Sequence, residues 1–170
     1  MIVSVDRSFL EINSVKNLKR SKSPGSNFKI SEVKPPDFQL NKFFYKQIGK
    51  NHRWIDRLVW EDKKWIEYVE NPNVKTFVLK DDNNLVGYYE TIRSIYNDHT
   101  EIAYFGILEE YYGKKCGGYL LSEAINKLFE EGISRVWLHT CSLDHKNAIK
   151  NYLARGMQIF KSEKINVEVS

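Results

Sequence analysis

The segment Glu101 to Ile125, EIAYFGILEEYYGKKCGGYLLSEAI, places Gly113, Gly117 and Gly118 immediately before an amphipathic pattern. At a helix start the first backbone amides have no intrahelical acceptor, and the positive end of the helix dipole adds to their pull on an anion. Glycines there let a phosphate approach the main chain closely. Two readings are open for these three residues: a phosphate cradle, or a tight turn that glycine merely shapes. The other reactive side chains are scattered. Cys116 and Cys141 are the only cysteines, without Cys-x-x-Cys spacing or clustered His partners, so neither a structural disulfide nor a metal site is expected. A formal charge of +4, with Lys and Arg interleaved among Asp and Glu, suits an anionic small molecule without demanding nucleic acid. Only the segment Lys16 to Lys22 clusters basic residues, so a nucleic-acid partner is not expected.

The elements that must position these groups fit one domain, because 170 residues suffice for one well-buried core and not for two. The N-terminus carries Asp6 and Glu11 and lacks an uninterrupted apolar run, so neither a signal peptide nor a membrane anchor is expected, and the expected location is the cytoplasm. A polar, basic surface loop from Lys16 to Asn27 joins a short strand at Phe9 to Ile12 to another at Phe28 to Val33, which Pro35 and Pro36 stop. Three helical stripes follow, on Phe38 to Ile48, on Trp54 to Val59 and on Trp65 to Val69. After Pro72 the period becomes that of strands. Thr76 to Lys80, Leu85 to Tyr96 and Glu101 to Leu108 are separated by turn residues and predict an antiparallel meander. Leu120, Leu121, Ala124, Ile125, Leu128 and Phe129 recur at helical spacing up to Gly132, a C-terminal cap. Arg135 to Cys141 then reads as a buried strand parallel to that of Glu101, and Asp144 as the cap of a helix from His145 to Arg155. Met157 to Val169 should finish the sheet. The expected class is α/β of mixed type: a central, mostly antiparallel twisted sheet with one parallel strand-helix-strand unit and helices on both faces.

Strand, glycine loop, amphipathic helix and strand, followed by Ala148, Tyr152 and Gly156 at four-residue intervals, resemble the GNAT acyltransferase superfamily over residues 74 to 160. The family's phosphate signature corresponds to Tyr112-Gly113-Lys114-Lys115-Cys116-Gly117. It departs twice, with Tyr112 for Arg or Gln and Lys115 for Gly. The segment His139-Thr140-Cys141-Ser142-Leu143-Asp144-His145 is similar to one bacterial subgroup. The resemblance implies one acyltransferase domain over 1–170, with an acyl-CoA core at 74–160 and strands and helices at 1–73 on the acceptor side. It also implies acetyl-CoA as co-substrate, no metal, an amine acceptor, no membrane partner, and a size compatible with a homodimer.

The resemblance further implies residue roles. Phe105, Gly106, Ile107, Gly113, Lys114, Lys115, Cys116, Gly117 and Gly118 would hold the cofactor, with main-chain N–H groups near Phe105 to Ile107 polarising the thioester and Gly106 marking a bulge that opens the sheet. The ammonium groups of Lys114 and Lys115 suit a pyrophosphate. Tyr152 would hydrogen-bond or protonate the leaving sulfur, the alternative being plain packing on its helical face. Glu101 would be the general base, the alternative being an ion pair with a neighbouring strand. Glu90, His139 and His145 stand in reserve, His139 reading more naturally as a core histidine. Tyr45, Trp54, Arg57, Trp60 and Trp65 crowd the acceptor side. At least three of the aromatics read as core, while the fork of Arg57 suits a carboxylate-bearing amine, with Glu90 beside it as a substrate contact. A second reading of the chain is a GNAT-shaped module that holds acyl-CoA or a partner without turnover.

Overall fold

In a computed structural model describing residues 1–168, the chain forms one seven-stranded sheet flanked by four α-helices. Val169, the expected end of the last strand, lies outside the described residues. The strands are β1 (Ile2–Ile12), β2 (Phe28–Glu32), β3 (Val74–Asp81), β4 (Asn84–Arg93), β5 (His99–Ile107), β6 (Arg135–Cys141) and β7 (Gln158–Glu168), and the helices are α1 (Phe38–Gly49), α2 (Asp62–Glu70), α3 (Cys116–Glu130) and α4 (Ala148–Ala154). Their order across the sheet is β2-β3-β4-β5-β6-β1-β7. All neighbours are antiparallel except β5 and β6, which α3 connects as a parallel unit.

Both faces of the β3–β5 meander are buried, and the sequence alternates between them. Val78 and Tyr88, paired across β3 and β4, pack with Phe44 and Ile48 of α1; the adjacent pair Phe77 and Tyr89 turns the other way, toward α3. Leu120, Leu121, Ala124 and Ile125 of α3 are fully buried against that second face. Each of the leucine and isoleucine side chains contributes roughly 1.5–3 kcal/mol of transfer free energy, and the small Ala124 lets the helix approach the sheet. The helix ends as its sequence predicts. Gly132 adopts a φ of 90°, and the N–H of Ile133 reaches back to the carbonyl of Leu128 at 3.1 Å while its side chain joins the core. Asp37 caps α1, its carboxylate accepting from the Gln39 N–H at 3.1 Å.

Three expectations are corrected. The first strand runs the whole length of Ile2–Ile12, and it lies between β6 and β7, far from β2 in the sheet. Its alternation is hidden by Asp6 and Arg7; Arg7 meets Glu163 of β7 across the strand pair at 3.5 Å. Residues 50–61 form turns and no helix, because Arg57 drops into the interior while Ile55, Leu58 and Val59 stay exposed. α4 begins at Ala148 and not at His145, because the Asp144 carboxylate turns back to accept from the Thr140 hydroxyl and from the Cys141 N–H at 3.1 Å.

Candidate active site

The parallel ladder between β5 and β6 holds only for His99, Thr100 and Glu101 opposite Arg135, Val136 and Trp137. Beyond that point β5, to Ile107, and β6, to Cys141, no longer pair with each other, although each keeps its other neighbour, so polar groups on the two facing edges have no strand partner. A cavity of about 380 Å³ opens there, between Phe105, Gly106 and Ile107 of β5, the start of α3, and Ala148, Asn151 and Tyr152 of α4. The bulge in β5 falls at Ala103, where the pairing shifts from Thr91 with Ile102 to Glu90 with Tyr104. Gly106, expected to be the bulge, sits in regular register opposite Tyr88. Its missing side chain has another cause: a Cβ there would lie 2.6 Å from Cγ2 of Ile48, so glycine lets α1 close on the sheet.

The loop into α3 supplies the anion end. Lys115 is the N-cap, left-handed at φ 64° and ψ 14°, and no side chain caps the helix. The amides of Cys116, Gly117 and Gly118 are thus left for an external acceptor. A Cβ on Gly117 would meet nothing nearer than Asn151 Nδ2 at 3.6 Å. The position is therefore uncrowded, with the Asn151 amide and Ile107 at ordinary contact distance. The Cys116 side chain is buried in the core, so that residue offers the loop only its main chain. Lys115 lines the cavity, whereas the Lys114 ammonium lies 5.0 Å from the centre of the Tyr111 ring. These features fit a pyrophosphate and an extended arm along β5: uncapped amides, a slot between splayed strands, and basic side chains at one end.

Tyr152 lines the cavity, packed edge-on against Phe105 with ring centres 6.3 Å apart. Burial, with a smaller push from the Asp144 carboxylate, raises its pKa well above the usual phenol value, and its hydroxyl has no hydrogen-bond partner among the described residues. Glu101 sits outside the cavity wall, at the last paired position before β5 and β6 part. Four residues of strand put it roughly 13 Å from Phe105 along the chain. Burial raises its pKa above the ordinary 4.5, the Arg57 charge opposing in part. His139 Nε2 is 4.0 Å from its carboxylate. The expectation of a core histidine is corrected, since the His139 side chain is 42% exposed on the face that carries Glu101.

Arg57 and Glu90, expected near an acceptor, are brought together in the interior. Glu90 is fully buried and accepts from Arg57 Nη1 at 2.9 Å, Asn41 Nδ2 at 2.9 Å and the Tyr68 hydroxyl at 2.6 Å. The guanidinium of Arg57 lies within 6 Å of five ring centres, those of Tyr45, Trp60, Trp65, Tyr68 and Tyr104. The fork of Arg57 is thus turned to Glu90 and enclosed by rings, and neither residue lines the cavity beside β5.

The rim is completed by His52, which the sequence does not single out, together with Trp54, Tyr112 and His145, which it names in other roles. Trp54 donates its indole N–H to Asp144 at 3.2 Å, tying the 50–61 turns to the loop before α4. His52 Nε2 stands 3.4 Å from the Tyr112 hydroxyl, and the His145 ring packs on both, at 5.6 Å and 4.8 Å between centres. Burial, then the nearby His145, lowers the His52 pKa. His145 Nδ1 accepts the Asn147 N–H at 3.0 Å, which leaves Nε2 as the free ring nitrogen. No local signal marks this cluster, because its members come from three separate loops. Among the described residues no group of His, Cys, Asp and Glu is arranged to hold a metal, and no helix is long and apolar enough to cross a membrane.

The acetyltransferase (GNAT) family model matches residues 38–157, which covers the meander, α3, β6 and α4 and leaves β1, β2 and β7 outside. An aminoglycoside acetyltransferase from an uncultured soil metagenomic sample, solved with trehalose, superposes with a TM-score of 0.65 at 14% identity over 78% of this chain and 90% of its own. A GCN5-related N-acetyltransferase from Sphaerobacter thermophilus superposes with a TM-score of 0.70 at 15% identity, and one from Kribbella flavida with 0.66 at 17%. The chain covers 50% and 58% of the length of these two. A comparison with curated protein sequences found no match.

Proposed function

The chain belongs to the GNAT acetyltransferase family, and on that premise we propose that it is a single-domain N-acyltransferase that moves an acetyl group from acetyl-CoA to a primary amine within a ternary complex. The observation that carries this reading is the unpaired slot between β5 and β6, closed at one end by an uncapped helix start and at the other by an unpartnered phenol. Bound there, the thioester supplies an activated acyl carbon. The main chain at Phe105 to Ile107 orients its carbonyl, and the amides of Cys116 to Gly118 hold the phosphates.

Glu101 takes the proton of the acceptor ammonium, through water given its distance from Phe105, so that the nitrogen lone pair can form the new C–N bond. Its raised pKa makes it a better base than an ordinary glutamate. Tyr152 stays protonated across the physiological range and donates a hydrogen bond to sulfur as the C–S bond breaks. As the tetrahedral intermediate collapses, its nitrogen loses a second proton, and that proton neutralises the thiolate, which is a weaker base than the Tyr152 phenolate and so leaves the phenol protonated. Around His139 the Arg7 cation is opposed by the carboxylates of Asp144, Asp56 and Glu163, and this excess of carboxylates suits a cationic amine. The bacterial subgroup, a cytoplasmic setting and main-chain cofactor binding belong to the same proposal, the first through His139 to His145.

Thermal unfolding with CoA and acetyl-CoA, followed by an amine screen read out by released thiol, tests this reading. Ligand at about a hundred times its Kd should stabilise the fold by roughly 2.7 kcal/mol, and Gly117→Val, whose new Cβ makes only ordinary contacts with Asn151 and Ile107, should abolish the shift without lowering the ligand-free melting point by more than a few degrees. A protein whose melting ignores millimolar CoA would sink the cofactor assignment. Binding without turnover on any amine would favour the non-catalytic module.

A further inference from the structure

The first turn of α3 has a second layer of donors above it that neither the phosphate loop nor the catalytic pair uses. Arg155 follows the last residue of α4, and its Nη1 lies 3.0 Å from the point where a Cβ on Gly118 would stand; Ser21 Oγ lies 3.1 Å from the same point. Unlike Arg7, Arg20, Arg57 and Arg135, Arg155 has no carboxylate in ion-pair range among the described residues. Its Nε is buried and has no hydrogen-bond partner. A guanidinium that is partly desolvated with a donor unmet is unfavourable unless an acceptor arrives.

The loop that brings Ser21 there is fixed at several points. The Lys19 N–H donates to the Arg155 carbonyl at 2.9 Å, the Ser21 N–H to Ser122 Oγ at 3.2 Å, and Arg20 pairs with Glu123. The Asn17 carbonyl presses on Gly156 so closely that a Cβ would lie 1.9 Å from it. The loop therefore rests on the C-terminal end of α4 and the N-terminal end of α3 at once, beside Gly118, which lines the cavity. The Nη donors of Arg155 and the adjacent Ser21 hydroxyl suit the tetrahedral oxygens of a phosphate.

Resting on the acyl-CoA reading of the cavity, we propose that Arg155 and Ser21 form a phosphate subsite for the nucleotide end of CoA, which makes the N-terminal loop, outside the family-matched residues, part of the cofactor site. Calorimetric titrations of wild type, Arg155→Met, Arg155→Lys and Ser21→Ala with CoA, dephospho-CoA and pantetheine test it. Arg155→Met should bind CoA roughly tenfold more weakly, Arg155→Lys less so because it keeps charge but loses the fork, and Ser21→Ala about two- to threefold more weakly. Pantetheine, which has no nucleotide phosphate, should bind all four proteins alike. A penalty that persists with dephospho-CoA assigns the subsite to the diphosphate, and one that disappears assigns it to the 3′-phosphate. Wild-type CoA affinity in Arg155→Met, or an equal loss for pantetheine, would overturn the subsite. Failure of the wild type to bind CoA would instead overturn the cavity reading on which it rests.

Discussion

The two faces of β5 handle charge in opposite ways. Beneath α1 and α2, Glu90 and Arg57 are matched to each other, to Asn41 and to Tyr68, and are closed in by five rings. At the gap beyond Glu101 the Tyr152 hydroxyl lacks a partner and no side chain caps the amides that start α3, and beside Gly118 the Arg155 Nε is buried without one. The charges of the first region are matched within the fold, although Asn41 Oδ1 and the Tyr88 hydroxyl there are buried without partners, whereas the donors at the gap face no protein acceptor among the described residues. Matched charges hold the fold together beneath α1 and α2, whereas the open amides and the phenol border the slot proposed for a ligand.

The sharpest way to break this contrast is Arg57→Met. Removing one partner of a buried pair leaves the other charge uncompensated, at a cost of roughly 3–5 kcal/mol, more than a hundredfold in the folding equilibrium. Urea unfolding should show that loss, while folded protein at low temperature keeps its CoA affinity. Near wild-type stability with a raised KM for the amine would mean that Arg57 does reach the acceptor.

On the other side, Tyr152→Phe should keep packing and CoA binding and lower turnover by roughly 10- to 1000-fold at every pH. Full activity in this variant would remove the phenol from the chemistry.

Glu101→Gln separates the two faces by pH. Its turnover deficit should shrink between pH 6 and 9.5, as more of the amine is neutral without help; a constant deficit would exclude the base. Stability gives an independent check. The folded pKa lies above 4.5, so the folded state binds more protons than the unfolded one just above that pH, and stability falls as pH rises through the interval. Glu101→Gln should flatten that fall and melt higher than wild type at neutral pH.

What could be read from the chain follows the same division. The meander, α3 with its Gly132 and Ile133 cap, and β6 are written in local periods, so alternation and turn residues reveal them. The place of β1 is not, because its partners Cys141 and Glu163 lie more than a hundred residues away and nothing in Ile2–Ile12 names them. The turns around Arg57 read as a helix because Trp54, Leu58 and Val59 share helical spacing, while the force that overrides it, a carboxylate on β4, is remote in sequence. For the candidate site, the glycine loop and Tyr152 were legible as a pattern resembling a family. The rim of His52, Tyr112 and His145 and the donors of Arg155 arise only when loops meet.

The smallest effect sits on Lys115, where the comparison becomes quantitative. A lysine at φ 64° pays for a left-handed backbone with roughly 1–2 kcal/mol that glycine would not lose. Glycine returns part of that gain through its freer unfolded chain, so Lys115→Gly should stabilise the ligand-free protein by about 0.5–1 kcal/mol, a rise of roughly 1–4 °C in melting point. If the ammonium answers the cofactor's phosphates, CoA affinity should fall severalfold in the same variant, so that stability without ligand rises as binding drops. A lower melting point would show that Lys115 is held by packing, contrary to its exposure. A higher one with unchanged CoA affinity would show that the amides of α3 suffice, leaving the strain at Lys115 without a return in binding.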